Sequence, residues 1–540
     1  MRPQLILALV LAAPLIFGAD LDPKMTGSAH VGVSLSWIIR ASDGFRGGAR
    51  FSTFAFSETP YQTAQFRVPQ EHSVETDSFG NKRVAFSWNP EPGNPQRFEL
   101  FADVFVDYSL GLERIAEQDP AYLQQSEFVI LDKEAASEAL EIAGDAKTRF
   151  EKAVRLADWV YRSIEYDVAY WDVQENSSAV LKTRRGVCDE KSHVLLAFLR
   201  SVDIPSRMAA GFVYSGKAWG PHAWVEADLG DGFWTPIDAT FNEFRLLDAT
   251  HLRFAVGRDQ GDISEEITEG LLLQKPAPSF SVESQSNFDS LAYSLKFSSV
   301  PKRVGPGSSE TVSVEIRSTS AFPQAVPVSF AAPQSPPELA VRVSGAPSRL
   351  IYLPPNGDAL QEWSLVFPTA LQSNYVYNFT LEASTLGQRV YSVVEGRRDV
   401  PVSYSQELSL EKLESELKDG MFVLSAVVRN RGNMQANPNV ICVLEGVSQS
   451  SVVSLAPGEE RAVQFAFPAP NATTVSGKVR IVSGAQVIEQ PFVSSITKES
   501  VVYEKQPADD RPLVVAALTI IVVILTLFFL KKLRLPYRPL

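Results

Sequence analysis

Cysteine and histidine are scarce in this sequence of 540 residues, which contains two cysteines and five histidines. Two cysteines cannot form a disulfide framework or a CxxC metal site, and the histidines form no HExxH motif. Positively charged residues are also fewer than negatively charged ones: the sequence has 50 Lys and Arg residues and 63 Asp and Glu residues, and its formal net charge is −13. This balance excludes the basic footprint of a nucleic-acid-binding protein. We therefore predict no metal, no cofactor and no nucleic-acid partner.

Apolar runs near the two ends of the chain predict its membrane topology. Residues 1–19 combine an early cation, Arg2, with an apolar run and a small Gly18-Ala19 pair, which is typical of a secretory signal peptide. Residues 513–530 carry no charge and are long enough for one membrane-spanning helix, and the basic tail at 531–540 follows at once. We predict a single-pass type I protein of the cell membrane, with a cytoplasmic tail and an extracellular body. The alternative for 513–530 is a buried core helix.

The first half of the body changes its hydrophobic period at about residue 116. Residues 20–115 show alternating apolar positions around turn signals and predict a small antiparallel β domain. Residues 116–276 mix helical spacing with strands and predict an α+β domain. Within it we expect one helix at 133–143, capped by Asp132, and another at about 189–201.

The second half of the predicted extracellular region shows the sequence pattern of an all-β structure. It is rich in Ser, Pro and Val, and turn residues precede alternating strands at similar places in two stretches. We predict two Ig-like β-sandwiches, at 277–400 and 401–503, and a polar linker at 504–512 that leads to the membrane span. One larger sandwich is the alternative.

Cys188 stands at the predicted start of the helix at 189–201. The positive end of the helix dipole favours a thiolate there, but Asp189 and Glu190 in the same turn oppose it, so a base is needed. The alternatives are an inert buried thiol or a disulfide with Cys442, which lies in an alternating strand where a core cysteine is normal.

His222 is the best candidate for that base. In a strand its side chain shares one face with Trp224 and Glu226. If the following hairpin loop is centred on Gly230, Asp238 lies directly opposite His222 and can orient the imidazole. Cysteine, histidine and aspartate in these roles would form a nucleophilic triad for acyl transfer. The alternatives are an incidental strand histidine and an aspartate that only serves a turn.

Three sequence blocks, in this order, resemble the transglutaminase-like superfamily of papain-like thiol enzymes: Gly186-Val187-Cys188, residues 220–226 and residues 234–240. The resemblance covers about residues 120–275. It implies a papain-like α+β core, a Cys188-His222-Asp238 triad and acyl transfer from an amide. The flanking β domains and single anchor look similar to exported prokaryotic, particularly archaeal, members. Nothing resembles the calcium sites of animal transglutaminases, so no metal is implied.

The resemblance also implies an oxyanion hole made by the Cys188 backbone N–H and a donor upstream of it. Trp171 is the candidate donor, with Tyr170 and Gln174 in the same stretch, and the alternative for Trp171 is a packed aromatic side chain. We interpret His193 as a packed or solvated helix residue. The sequence names no partner for His251.

The expected function is that of a membrane-anchored extracellular thiol enzyme acting on an amide of a protein or peptide, including peptide-containing cell-envelope material. If water accepts the acyl group, the enzyme is a peptidase or amidase. If a lysine amine accepts it, the enzyme is a cross-linking enzyme. We favour hydrolysis because water is always available and no dedicated amine site is visible. The alternative is a non-catalytic cell-surface binding or architecture protein, in which the sandwiches form a stalk. The sequence predicts no oligomeric state.

Overall fold

The structure is a computed structural model that describes residues 21–42, 44–91, 93–117, 119–418, 420–469, 474–484 and 486–495. The predicted signal peptide, linker, membrane span and tail lie outside these residues. Among the residues that are described, no helix has the length and apolar character needed to cross a bilayer. The chain divides between Ser405 and Gln406 into two compact units, each described by itself below.

The first unit begins with six strands whose apolar residues alternate. They are β1 (Thr26–Ala41), β2 (Ala49–Phe54), β3 (Gln62–Arg67), β4 (Ser73–Thr76), β5 (Lys82–Trp88) and β6 (Gln96–Val106). Alternation puts every second side chain of β1, such as Leu35 and Trp37, into a core while its neighbours lie nearer the surface. All pairings among these six strands are antiparallel, as the sequence predicts.

The next segment contains four helices and a five-stranded antiparallel sheet. Its elements are α1 (Lys133–Ala143), α2 (Arg149–Ser163), β7 (Glu165–Tyr166), α3 (Ser177–Thr183), β8 (Arg185–Gly186), α4 (Cys188–Ser201), β9 (Ser206–Tyr214), β10 (Trp219–Asp228), β11 (Trp234–Asp238), β12 (Glu243–Phe244) and β13 (Leu252–Gly257). The sheet order is β12-β11-β10-β9-β13. Helix α4 is almost wholly buried, because the other helices pack on one side of it and β9 and β10 on the other.

The helix predictions are confirmed. Helix α1 has the expected bounds, and the Asp132 side chain accepts a hydrogen bond from the Ala135 N–H at its first turn. Helix α4 begins at Cys188, one residue before the predicted start, so the thiol belongs to its first turn.

Three further strands return the chain to its N-terminal region: β14 (Glu266–Ile267), β15 (Leu271–Gln274) and β16 (Ser279–Asn287). The two N-terminal sheets therefore have the orders β15-β1-β6-β3, with β16 also paired to β1, and β14-β2-β5-β4. The predicted start of the first sandwich at residue 277 differs from this arrangement. Phe280 stacks on Trp219 with ring centroids 4.8 Å apart, and this contact holds β16 against the α+β segment.

The N-terminal strands and the α+β segment share one hydrophobic core. Trp37 and Phe51 belong to the same buried cluster as Trp224 and Leu252. Burial of these large side chains stabilises both segments together, so the N-terminal strands do not form their core alone. The helices of the α+β segment have a second buried cluster, which includes Leu195 and Phe198.

Nine more strands complete the first unit: β17 (Tyr293–Ser299), β18 (Arg303–Val304), β19 (Ser309–Ser318), β20 (Gln324–Ala331), β21 (Arg342–Ser344), β22 (Ser348–Leu353), β23 (Asp358–Val366), β24 (Tyr377–Thr385) and β25 (Gln388–Gly396). They form the sheets β17-β19-β23-β21 and β18-β25-β24-β20-β22, which enclose one core. Trp363 of one sheet stacks on Phe330 of the other, with ring centroids 4.9 Å apart. The backbone N–H of Leu350 donates to Asp158 of α2 over 2.9 Å and attaches this sandwich to the helices.

The described residues of the second unit, up to residue 495, form seven strands: β26 (Leu408–Lys418), β27 (Met421–Asn430), β28 (Asn439–Leu444), β29 (Val447–Val452), β30 (Glu460–Pro468), β31 (Thr474–Ser483) and β32 (Gln486–Ser495). The sheets β26-β27-β30 and β29-β28-β31-β32 enclose a core that contains Cys442. Cys442 and Cys188 are both free thiols, so the disulfide alternative is wrong. The Ig-like character of the two sandwiches stays a prediction.

Candidate active site

The sequence Gly186-Val187-Cys188 sets the start of α4. A Cβ on Gly186 would come within 2.4 Å of the Glu190 Cβ, so only glycine fits there. Glu190 then reaches back, and its Oε2 accepts a hydrogen bond from the Val187 N–H over 2.9 Å. This contact satisfies one of the donors that a helix N-terminus leaves free, and it fixes Cys188 as the first helical residue.

Cys188 is 7% exposed and lines a cavity of about 460 Å³. Burial, with a contribution from Asp189, raises the pKa of the Cys188 thiol to about 12, although backbone groups of Ala223 and Asp189 oppose the shift. Desolvation therefore outweighs the helix dipole in the resting site, in agreement with the expectation that the dipole alone does not activate the thiol. The thiol rests protonated at neutral pH and needs a base, as the sequence also indicates.

His222 lines the same cavity. Its ring is held by Asp238, which does not line the cavity. The Nε2–H of His222 donates to Oδ2 of Asp238 over 2.7 Å, and both side chains are buried. The predicted register is wrong by two residues. Val225 pairs with Ile237, which places Asp238 opposite Trp224. The shift is even, so Asp238 keeps the predicted face and reaches His222 along the diagonal.

The Asp238 carboxylate accepts four hydrogen bonds, two from histidine side chains and two from backbone N–H groups. Its Oδ1 accepts from the backbone N–H groups of Thr240, over 2.6 Å, and Phe241, over 3.1 Å. Burial alone would raise the pKa of Asp238, but His222 and His251 outweigh it and hold that pKa below its usual range. Asp238 is thus an ionised carboxylate in a buried site.

His251 is the residue that sequence reasoning missed. Its Nε2 lies 3.0 Å from the same Asp238 oxygen that binds His222. Burial would lower the pKa of His251, but Asp248 and Asp238 outweigh it and raise that pKa well above its ordinary value. No spacing signal points to this contact, because His251 precedes β13 at one edge of the sheet and Asp238 ends β11 near the other.

Trp171 also lines the cavity, next to the short helical turn at Val168–Tyr170. It is 53% exposed, so the packed-aromatic alternative is wrong. The remaining cavity wall is mainly apolar and includes Phe54, Val187, Met208, Phe212, Phe254 and Ile263. Glu265 and Lys275 add one charge of each sign to the lining.

His193 stands apart from this site although it shares a helix with Cys188. Its ring is fully buried, stacks on Phe128 at 5.1 Å, and its Nδ1 lies 3.2 Å from the Glu175 carbonyl oxygen. The interpretation of His193 as a packed helix residue is confirmed.

Among the described residues, three clusters hold ligand-type atoms close enough for one metal ion: His222 with Asp238 and His251, Glu243 with Asp248 and His251, and His30 with Asp103 and Glu283. In the first cluster the atoms are already joined by hydrogen bonds in a buried site. Hydrogen bonding accounts for that cluster without an ion.

A comparison with protein families matches the segment that contains these side chains. Residues 137–239 match the model of the transglutaminase-like superfamily, and this range contains Cys188, His222 and Asp238. The resemblance predicted from the three sequence blocks is confirmed: the chain contains a transglutaminase-like core.

The relatives beyond that model are distant. An uncharacterized protein of Mycobacterium leprae (strain TN) is 28% identical over 150 residues, which cover 26% of this chain and 52% of that protein. The chain thus spans about half the length of this relative. A solved structure from Cytophaga hutchinsonii, provisionally described as a cysteine protease, is 20% identical with a TM-score of 0.39 and covers 49% of this chain and 94% of its own. Red sea bream transglutaminase is 9% identical with a TM-score of 0.17 and covers 89% of this chain and 93% of its own.

Proposed function

We propose that this chain is a cysteine-dependent enzyme that takes an acyl group from an amide and passes it to water or to an amine. The observation that carries the proposal is the buried hydrogen bond between His222 and Asp238, at 2.7 Å, in the wall of the cavity that Cys188 lines. Cys188 is the nucleophile, His222 the general base and acid, and Asp238 the residue that orients the imidazole.

The first step forms a thioester. Because Nε2 of His222 is engaged by Asp238, Nδ1 is the nitrogen that accepts the thiol proton. The Cys188 sulfur then bonds to the amide carbon, and the carbonyl electrons move onto oxygen. When this tetrahedral species collapses, the C–N bond breaks and His222 gives its proton to the departing amine. The second step repeats this sequence with water or an amine as the nucleophile, and it restores the thiol.

The buried setting explains why a base is required. A thiol with a pKa of about 12 carries almost no thiolate at neutral pH. Proton transfer to His222 creates an imidazolium beside the ionised Asp238, which stabilises that charge where water cannot. The proton therefore moves as the carbon–sulfur bond forms.

The oxyanion needs donors on the other side of the reacting carbon. Cys188 is the first residue of α4, so its backbone N–H has no intrahelical acceptor. The indole N–H of Trp171, in the same cavity wall, is the second donor that we propose.

We propose a peptide or protein as the substrate, including peptide-containing cell-envelope material. The apolar wall formed by residues such as Phe212 and Phe254 favours an apolar side chain beside the reacting amide. We favour hydrolysis, because water needs no binding site of its own. We also propose that residues 1–19 direct export and that 513–530 anchor the protein, so that the enzyme acts outside the cell.

The test uses the full-length protein with an unstructured protein substrate and a fluorescent alkylamine. We expect new amino termini or released ammonia to exceed incorporation of the alkylamine. Cys188→Ala should abolish both products. Cys442→Ala, which removes the second buried free thiol, is the matched control and should retain full activity. Activity that survives Cys188→Ala would contradict a thiol enzyme, and absence of both products with the wild type would favour the alternative of a non-catalytic surface protein.

A further inference from the structure

One oxygen of Asp238 accepts hydrogen bonds from two histidines. Oδ2 lies 2.7 Å from Nε2 of His222 and 3.0 Å from Nε2 of His251. The two imidazole rings stand at 64° to each other with centroids 5.4 Å apart. His251 is fully buried and does not line the cavity that contains Cys188, so it contacts the proposed site only through other side chains.

His251 is itself fixed on its far side. Its Nδ1 lies 3.2 Å from the carbonyl oxygen of Asp248 and 3.5 Å from the Asp248 Oδ2. Asp248 in turn accepts from the backbone N–H of Thr250 over 2.7 Å. Trp224 and Phe241 meet the His251 ring edge-on, with centroids 5.5 Å and 5.9 Å away. The ring therefore has little freedom to turn away from Asp238.

We propose that His251 is a positioning residue for the acyl transfer: its Nε2–H holds the Asp238 carboxylate so that Nε2 of His222 stays protonated and Nδ1 faces the thiol. This inference rests on the proposed function of Cys188 and His222. Within the described part of the chain, the two backbone N–H groups that bind Asp238 both donate to Oδ1, and neither holds the oxygen that faces His222. His251 supplies the second donor on that oxygen.

His251 also sets the charge around His222. The buried groups facing it are Asp238, Asp248, Glu243 and His222. Burial and Asp248 raise the pKa of Glu243 and favour its neutral form. A protonated His251 beside the ionised Asp238 places a positive charge next to the carboxylate that stabilises His222 when His222 gains its own positive charge in catalysis. On the Cys188 side, Lys191 and Asp189 are the other charged groups, and Lys191 interacts with Asp238.

The experiment measures alkylation of Cys188 in the full-length protein by iodoacetamide, followed by peptide mass analysis across a range of pH. This readout needs no knowledge of the substrate. The variants are His251→Leu, which removes the donor, and His251→Gln, which keeps a donor near the Nε2 position without a charge. His193→Gln is the matched control, because His193 is equally buried in the same segment but does not contact Asp238.

We expect His251→Leu to slow alkylation at neutral pH by about 10- to 100-fold, the range that misplacement of a catalytic group produces. His251→Gln should keep the rate at its plateau within about threefold. The pH below which the His251→Gln alkylation rate falls should be higher than in wild type by about one unit, because loss of a nearby positive charge favours protonation of His222. His193→Gln should leave the profile unchanged.

The inference is overturned if folded His251→Gln shows the wild-type pH profile, or if folded His251→Leu reacts at the wild-type rate. If His251→Leu does not fold, the profile of His251→Gln decides. Failure of the proposed function looks different, because the wild-type rate itself would then be independent of His222.

Discussion

The side chains of His222 and Asp238 form a hydrogen bond of 2.7 Å although the two residues are not directly opposite each other in their hairpin. The register places Asp238 across from Trp224, so the contact runs diagonally. A diagonal pair on one face of a sheet is within reach of a long side chain such as histidine. The diagonal also leaves Asp238 space for a second histidine, and His251 occupies that space.

Asp238→Asn tests the orienting role. The amide keeps the shape of the carboxylate but can donate to His222, which favours the wrong tautomer of the imidazole. We expect kcat to fall by about 10²- to 10⁴-fold with a small change in KM, by analogy with the same change in serine-protease triads. Steady-state kinetics, with circular dichroism to confirm folding, checks this. A kcat within about threefold of wild type would contradict the role.

Trp171→Phe tests the proposed oxyanion donor. Phenylalanine preserves the aromatic wall of the cavity and removes only the indole N–H. We expect kcat to fall by about 10²- to 10³-fold, the usual loss of one oxyanion donor, with KM little changed. Because Trp171 is half exposed, the thermal midpoint should stay the same. Full activity of Trp171→Phe together with a raised KM in Trp171→Ala would assign the side chain to substrate binding alone.

Glu226→Gln tests a buried charge cluster that joins the N-terminal strands to the α+β segment. Glu226 accepts hydrogen bonds from Arg207, at 2.8 Å, from Arg253, at 3.0 Å, and from the Tyr61 hydroxyl, at 3.0 Å. Removing the buried negative charge should lower the free energy of unfolding by about 3–5 kcal/mol. The matched control is Glu75→Gln in an exposed ion pair, which should leave the free energy of unfolding almost unchanged because solvent screens that pair.

The same cluster predicts a pH dependence. Burial would raise the pKa of Glu226, but Arg253 and Arg207 outweigh it and lower that pKa to about 2. A lowered pKa contributes stability above the unfolded value of about 4.3. That contribution disappears as the pH falls from there toward 2. Thermal midpoints of wild type and Glu226→Gln should therefore converge across this acidic range, and a constant difference would contradict the assignment.

Deletion of residues 20–115 tests whether the N-terminal strands are a separate body. These strands contribute side chains both to the proposed active-site cavity and to a core shared with the α+β segment. Phe54 of β2 lines the cavity, and Trp224 of β10 lies in the shared core. The deletion would expose that core, so we expect an insoluble or unfolded product in expression and solubility assays. A soluble and fully active fragment would contradict the shared core.

Local sequence signals predicted the parts of the fold that are local in sequence. Asp132 caps α1 by contacting a residue three positions away, and Gly186 is needed because Glu190 lies one turn further on. The face shared by His222 and Asp238 follows from strand alternation, which any even register shift preserves.

The remaining features depend on contacts between distant segments. Strand β16 pairs with β1 across about 250 residues, and its alternating pattern does not say which sheet it joins. His251 meets Asp238 although β9 and β10 lie between β13 and β11 in the sheet, so the contact depends on the three-dimensional path of the loop before β13. The raised pKa of Cys188 depends on how deeply α4 is buried, and a helix dipole read from sequence does not include that desolvation.

The most direct test of a working Cys188–His222 pair is the rate of Cys188 alkylation by iodoacetamide, measured from pH 5 to 11 in full-length wild type and His222→Ala. We expect the wild-type rate to reach a plateau at neutral pH. The His222→Ala rate should be slow there and climb only toward the thiol pKa of about 12. Superimposable profiles for the two proteins would contradict the account, because Cys188 would then react without help from His222.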